Sequence, residues 1–402
     1  RGNMTSQLTT LSLLSFIILA GIIITLIANK IKIPSLLLLI LTGLGLGFTN
    51  LFTFDQDFIT SFAIFALIMI LFDSTSQFKV KEIYQFSPPA LKLAFTFLLL
   101  SMIIITLGAH VLFAKVIFSV RSLVISAIFG ALMAGTSPEI ILSIFKDKKE
   151  KIAEILRFES IINTPLTVLI PFIALDFYFG VLSANVLAVK FLQGIMTGVG
   201  TGFLIGIIVF SLMKKTYQEL LSPLVVIATA LLTYTLSENI GGNGILAVTT
   251  FGIVFGVISV RNKDQIQHFS SIFTNFLKII VFILLGLVIK IPLDVNFLIK
   301  SLILFLLYLL VRYLAVSIVF YSVNIKLKEK IFMTLNSAKG VAVATMIFFL
   351  GSYSIQGLDK VINLSFLFLL YTIILSSITA RFSHKFVVFR KNVLKKKDLS
   401  KG

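Results

Sequence analysis

Phe158-Glu159-Ser160-Ile161-Ile162-Asn163-Thr164-Pro165-Leu166-Thr167-Val168-Leu169-Ile170 puts a carboxylate, a hydroxyl, an amide and a second hydroxyl inside a stretch otherwise fit only for lipid or protein interior. Inserting an ionisable group at membrane depth costs about 2.5–3.5 kcal/mol, so such a group points to function, here an ion pathway. Glu159 and Asn163 are four residues apart and share a helix face, with Ser160 and Thr164 beside them. Oxygen ligands with a carboxylate suit a hard alkali cation. A structural carboxylate paired with a buried cation, Lys339 or Arg312, is the alternative reading.

The rest of the chain has the same membrane character. Hydrophobic residues make up 58% of 402 and charged ones 13%, against roughly 25% charged in average soluble chains. Mean hydropathy is +1.06. The apolar runs are continuous rather than alternating, which predicts an all-α polytopic membrane protein and not a β-barrel. Counting runs of roughly 17–25 residues gives about thirteen, near 9–28, 33–50, 57–73, 89–113, 119–145, 155–179, 187–213, 219–239, 243–260, 268–290, 293–323, 329–353 and 361–383. Cysteine is absent, and histidine is limited to His110, His268 and His384. No disulfide, zinc or haem site is expected, and no cofactor beyond transported ions. No Ser/His/Asp set or nucleotide motif suggests an enzyme. Arg1-Gly2-Asn3 ahead of Met4 reads as a cloning remnant, and the first run is long enough to remain as a span. With only a short tail after run 13, function is expected in the membrane part.

The formal charge is +18, and its placement decides its meaning. Lys30 and Lys32 follow run 1, Lys79 and Lys81 run 3, Lys146, Lys148, Lys149 and Lys151 run 5. Lys214 and Lys215 follow run 7, Arg261 and Lys263 run 9, Lys326, Lys328 and Lys330 run 11. The tail holds Lys385, Arg390, Lys391, Lys395, Lys396 and Lys397. Even-numbered loops carry few cations. The positive-inside rule then puts odd loops and the C-terminus in the cytoplasm and the N-terminus outside. The tail can touch anionic lipid. Nucleic acid is not an expected partner, because no basic patch lies on a soluble domain.

Two runs are interrupted. Gly135-Thr136-Ser137-Pro138-Glu139 breaks run 5, because proline removes a donor and clashes with the carbonyl four residues back. Asn336-Ser337-Ala338-Lys339-Gly340 breaks run 12 and carries a lysine at depth. Non-helical backbone at that depth must line a cavity or be buried in protein. Runs 5 and 12 are seven spans apart and therefore inserted oppositely. That predicts two inverted six-helix repeats with paired broken helices, a pointer to a transport site at the midplane. Among other charges, Asp73 and Asp176 read as interfacial. Glu238 reads as a turn or cap beside Gly241-Gly242.

In these segments the chain resembles the monovalent cation/proton antiporter superfamily, nearest its NhaP-like sodium/proton exchanger branch. Leu71-Phe72-Asp73 is similar to the family's LF(D/E)xGL, and Thr136-Ser137-Pro138 to its TDP or TSP. Glu159-Ser160 through Asn163-Thr164 resembles its ES-x-x-ND. Leu236 through Val248 looks like its ELGGSGILAV segment, and Lys339-Gly340 sits where the family has a basic residue and glycine. The resemblance implies exchange of protons for a monovalent cation, Na⁺ or K⁺, by an elevator movement in a homodimer of the cell membrane. It implies scaffold helices in 1–88 and 218–291, core helices in 89–181 and 292–384, a linking helix in 182–217 and a basic tail in 385–402. It also implies crossing broken helices at Pro138 and Gly340. Glu159 would form a salt bridge to the cation of the second broken helix.

The chain departs from the pattern where it matters most. The family's ion-binding aspartate is Thr164 here, and the aspartate of TDP is Ser137. A hydroxyl cannot exchange a proton for a cation near neutral pH. The expected transport site therefore comprises Thr136, Ser137, Glu139, Glu159, Ser160, Asn163, Thr164 and Asp73, with Lys339 and Arg312 as charge partners. Glu139 is the favoured proton carrier. An uncoupled ion pathway and a transport-inactive paralogue are the alternatives.

Overall fold

The computed structural model describes residues 2–31, 34–49, 54–78, 80–114, 119–137, 151–180, 184–214, 217–219, 221–289, 294–321, 323 and 325–382. All regular structure among the described residues is helical. In chain order come α1 (Gly2–Ile31), α2 (Ser35–Gly47), α3 (Gln56–Ser76), α4 (Val80–Leu100) and α5 (Thr106–Phe113). Then follow α6 (Val120–Ala134), α7 (Lys151–Tyr178), α8 (Ala184–Met213), α9 (Leu221–Asn239) and α10 (Gly244–Val257). The last are α11 (Lys263–Val288), α12 (Val295–Val319), α13 (Leu327–Leu335), α14 (Val341–Gly351) and α15 (Leu358–Arg381).

Among the described residues, nine helical spans are long and apolar enough to cross a membrane, and α2, α6, α10 and α14 are shorter apolar helices. Each of the thirteen runs thus finds a helix, with α13 as the first half of run 12. Run 4 is one span in which α4 and α5 are joined by a π turn, Ser101–Ile105. The Ser101 hydroxyl donates to the Gly130 carbonyl of α6 at 2.7 Å, so the wider turn serves a contact. α7 runs through both Pro165 and Pro171.

Large apolar side chains stand exposed along α8, including Leu192, Met196, Leu204 and Leu212, and along α12, including Ile299, Leu306 and Leu310. Contiguous apolar surface of that extent marks contact with lipid or protein. The chain is an integral membrane protein.

Helix α2 packs along α11, α3 lies on α10 and α11, and α8 on α10. The first crossing is made by glycine. A Cβ on Gly43 would meet the Gly286 Cα at 3.0 Å and the Ile283 carbonyl oxygen closer still. Elsewhere α4, α6 and α7 pack together, α12 lies on α4 and α13, and α14 lies between α3 and α15. Phe368 of α15 receives Phe129, Phe305 and Tyr308 edge-on, with ring centroids 5.1, 5.4 and 5.8 Å away. These rings cover the buried polar groups described next.

Candidate functional site

Pro138 has no N–H to offer the Ala134 carbonyl, and α6 ends at Ala134. Gly135 continues in extended conformation. The last carbonyls of a buried helix need other partners, and side chains from two other segments supply them. Asn163 Nδ2 donates to the Ala134 carbonyl at 3.3 Å. Lys339 Nζ donates to the Met133 and Gly135 carbonyls, each at 2.6 Å. A cation at a helix C-terminus also meets the negative end of the macrodipole.

Lys339 comes from the break between α13 and α14. There the chain satisfies its main-chain groups through neighbours. Tyr308 donates to Ser337, Ser376 to the Leu335 carbonyl, and the Lys339 amide to Thr372 Oγ1. The Ser137 amide donates to the Ala338 carbonyl at 2.7 Å. That bond joins the two interrupted segments directly. Gly340 is required at this crossing, because a Cβ there would run into the Ser137 side chain.

Glu159 and Arg312 are both fully buried and form a bidentate pair, with Nη2 to Oε2 at 2.6 Å and Nη1 to Oε1 at 2.5 Å. Asn163 Nδ2 also donates to Glu159 Oε1, at 3.2 Å. The guanidinium lies over the Phe97 ring, 4.6 Å from its centroid. The expected pairing of Glu159 with the cation of the second broken helix is therefore corrected. Its partner is Arg312 of α12, whose planar fork matches a carboxylate. Lys339 spends its three donors on two carbonyls and the Tyr308 hydroxyl, the last at 2.8 Å.

Beside the crossing lies a cavity of about 30 Å³, lined among others by Ser74, Thr136, Ser137, Thr164, Thr167 and Gly340. One water needs roughly 10–15 Å³. Thr164 and Thr167 donate their hydroxyl protons to the Ser160 and Asn163 carbonyls. Thr164 is half-buried, whereas Thr167 has no accessible surface.

The structure thus brings Thr136, Ser137 and Thr164 together at one cavity and ties Asn163 to Glu159. Ser160 turns away and donates to the Arg157 carbonyl. Asp73 is buried among protein groups. Its Oδ1 accepts from Ser271 of α11 at 2.6 Å, and its neighbour Ser74, not Asp73, lines the cavity. Pro138 and Glu139 lie outside the described residues. Among the described residues no carboxylate lines the cavity. Glu238 does act in a turn, accepting from the Gly244 amide at 2.7 Å. Two contributors escaped the sequence reading. Tyr308 sits one helical turn before Arg312, a spacing that shares its face. Thr167 sits three residues beyond Thr164.

A family model described as "Sodium/hydrogen exchanger, transmembrane" matches residues 14–389. The "Probable Na(+)/H(+) antiporter 2" of Methanocaldococcus jannaschii is 28% identical over 362 residues, covering 84% of this chain and 83% of that protein. The "K(+)/H(+) antiporter NhaP2" of Shewanella oneidensis is 27% identical over 280 residues, covering 66% of this chain and 47% of that protein. The solved structure of the sodium proton antiporter MjNhaP1 from M. jannaschii at pH 8 superposes with a TM-score of 0.82 at 20% identity. The match covers 94% of this chain and 98% of that one, and it speaks for the fold. The apolar helices, the crossing of interrupted segments and the length of the family match agree, and the chain belongs to the transmembrane sodium/hydrogen exchanger family.

Proposed function

We propose that this protein is a secondary active transporter that exchanges protons for Na⁺ or K⁺ at the crossing of its interrupted helices. The observation that carries this reading is the cavity beside the Ser137–Ala338 bond, where Ser74, Thr136, Ser137 and Thr164 meet apolar side chains, in a chain of the sodium/hydrogen exchanger family. Relatives whose names specify sodium and potassium antiport support either cation. Cation ligands would be Thr136, Ser137 and Thr164. Alternating access would proceed as an elevator, the core in 89–181 and 292–384 moving against the scaffold in 1–88 and 218–291. The helix in 182–217 links them and the tail in 385–402 stays cytoplasmic. The protein works as a homodimer in the cell membrane, N-terminus outside.

Proton coupling needs an acid that is free to titrate. Both oxygens of Glu159 are held by Arg312, and Asp73 faces Ser271. Glu139 is therefore the proposed carrier. The test is proton flux in liposomes under an imposed pH gradient, with Na⁺, K⁺ and Li⁺ added in turn. Wild type and Asp73→Asn should collapse the gradient on cation addition, and Glu139→Gln should be silent. Loss in Asp73→Asn with activity in Glu139→Gln would reassign the carrier.

A second reading is favoured by the hydroxyls at Ser137 and Thr164: an ion pathway uncoupled from protons. Cation flux indifferent to the pH gradient would identify it.

A further inference from the structure

A second, larger cavity of about 360 Å³ lies between two pairs of helices, α4 with α7 and α8 with α10. The helices of each pair pack along one another, and the two pairs meet only lightly. Phe95, Phe158, Pro165, Ile195 and Ile253 are among the residues that line it. Only Thr249 and Thr250 bring polar side chains. Both hydroxyls donate to carbonyls of their own helix, to Ile245 at 2.7 Å and to Leu246 at 2.9 Å. No lining side chain has a donor left for water. An apolar cavity of about 150 Å³ stays dry and takes up apolar guests, and this one is more than twice that size.

The cavity opens toward lipid. Two of its lining residues, Leu91 and Phe95 of α4, are 38% and 49% exposed. On α8, Leu192 and Met196 stand exposed within a turn of Ile195. The mouth is thus continuous with the apolar surface that this membrane protein turns to acyl chains. A charge stands at the mouth. Lys92 follows Leu91 directly and precedes Phe95 by three residues, a spacing that shares a face. It is exposed, in the second turn of a span that begins at Pro88, and it has no hydrogen bond or ion pair among the described residues. A lysine so placed lays its apolar stem along the helix and carries its ammonium to the headgroup level. Arg157 adds a second cation beside the cavity. Its guanidinium lies over Phe78, 5.2 Å from the ring centroid, and Phe78 stacks on Phe158 at 4.2 Å. Glu154 meets part of that charge at 3.6 Å.

We propose that this cavity seats an acyl chain of a membrane phospholipid whose phosphate group pairs with Lys92. The occupant has to be apolar to enter, has to come from the lipid side, and has to bring an anion within a lysine's reach of the mouth. A phospholipid meets all three conditions. Ile161 lines this cavity and also the small one beside the crossing. A seated chain therefore touches a residue that borders the proposed transport site. The lipid site itself stands whether or not the protein exchanges ions.

The experiment reconstitutes the purified full chain in phosphatidylglycerol vesicles that contain a small fraction of the same lipid with a diazirine in mid-chain. Photo-adducts are mapped by peptide mass spectrometry. In wild type they should concentrate on the half-buried cavity residues Ile162, Leu166, Thr250 and Ile253, above the level on Leu306 and Leu310, which stand exposed on α12. Thr250→Trp, which fills the cavity, should remove most of the cavity adducts and leave those on α12. Lys92→Gln should lower cavity labelling about fivefold, the contribution of one lysine at an anionic membrane surface. Cavity labelling no stronger than on α12 is boundary lipid only and overturns the proposal, as does full cavity labelling in Thr250→Trp. If Thr250→Trp does not fold, wild type and Lys92→Gln, a change at an exposed position, still decide. Unchanged labelling in Lys92→Gln, or equal labelling by a diazirine hydrocarbon without a headgroup, shows a general apolar pocket and overturns the assignment to phospholipid.

Discussion

Arg312→Ala lowers the stability of the purified protein by about 3–5 kcal/mol, the cost of leaving a buried charge without its partner. The guanidinium and the Glu159 carboxylate are both inaccessible to solvent. Once Arg312 is gone, Glu159 keeps, among the described residues, only the amide of Asn163. That amide also holds the Ala134 carbonyl at the end of α6, so the damage reaches the crossing. Replacing both partners together, as Glu159→Leu with Arg312→Met, removes the stranded charge. It should recover most of the loss, because swapping a buried pair for apolar residues of similar volume is often close to neutral. Thermal melting of Glu159→Leu, of Arg312→Met and of the double variant in detergent checks this. Equal destabilisation in all three would show that the pair itself, and not the stranded charge, sets the cost.

Lys339→Met is the second large effect, and it falls on transport more than on folding. The variant strips the donors from the Met133 and Gly135 carbonyls. Each unsatisfied buried group costs about 1–3 kcal/mol. Removing a buried ammonium that has no carboxylate among its described hydrogen-bond partners offsets part of that. The melting temperature should therefore fall less than for Arg312→Ala. Exchange should fall at least about tenfold, because the end of α6 loses the cation that fixes it against the second break. Flux and melting measured on the same preparation separate the two. Unchanged flux would mean that the ammonium is a structural peg alone.

The thirteen spans were legible because lipid imposes long continuous apolar runs. The two breaks were legible because proline and a deep lysine contradict those runs. Pairing was harder to read. Sequence spacing put Glu159 and Asn163 on one face, and the structure bonds them. Nothing in the spacing could choose between Arg312 and Lys339 as the partner of Glu159, since both come from distant segments. That Asp73 is buried against Ser271 of another helix could not be read from the sequence, because the two are far apart along the chain. Tyr308 was invisible for another reason. It carries no formal charge to mark it within an apolar run, yet it stands in the interior, between Lys339 and Ser337.

The most direct test of exchange at the crossing compares wild type with Gly340→Val in proteoliposomes. The added side chain would collide with Ser137 and part the two interrupted segments, leaving Arg312 and Glu159 in place. Cation-driven collapse of an imposed proton gradient by wild type, and its loss in a Gly340→Val protein that still melts cooperatively, is the predicted result. No cation-driven proton movement in wild type, or full exchange in Gly340→Val, would contradict it.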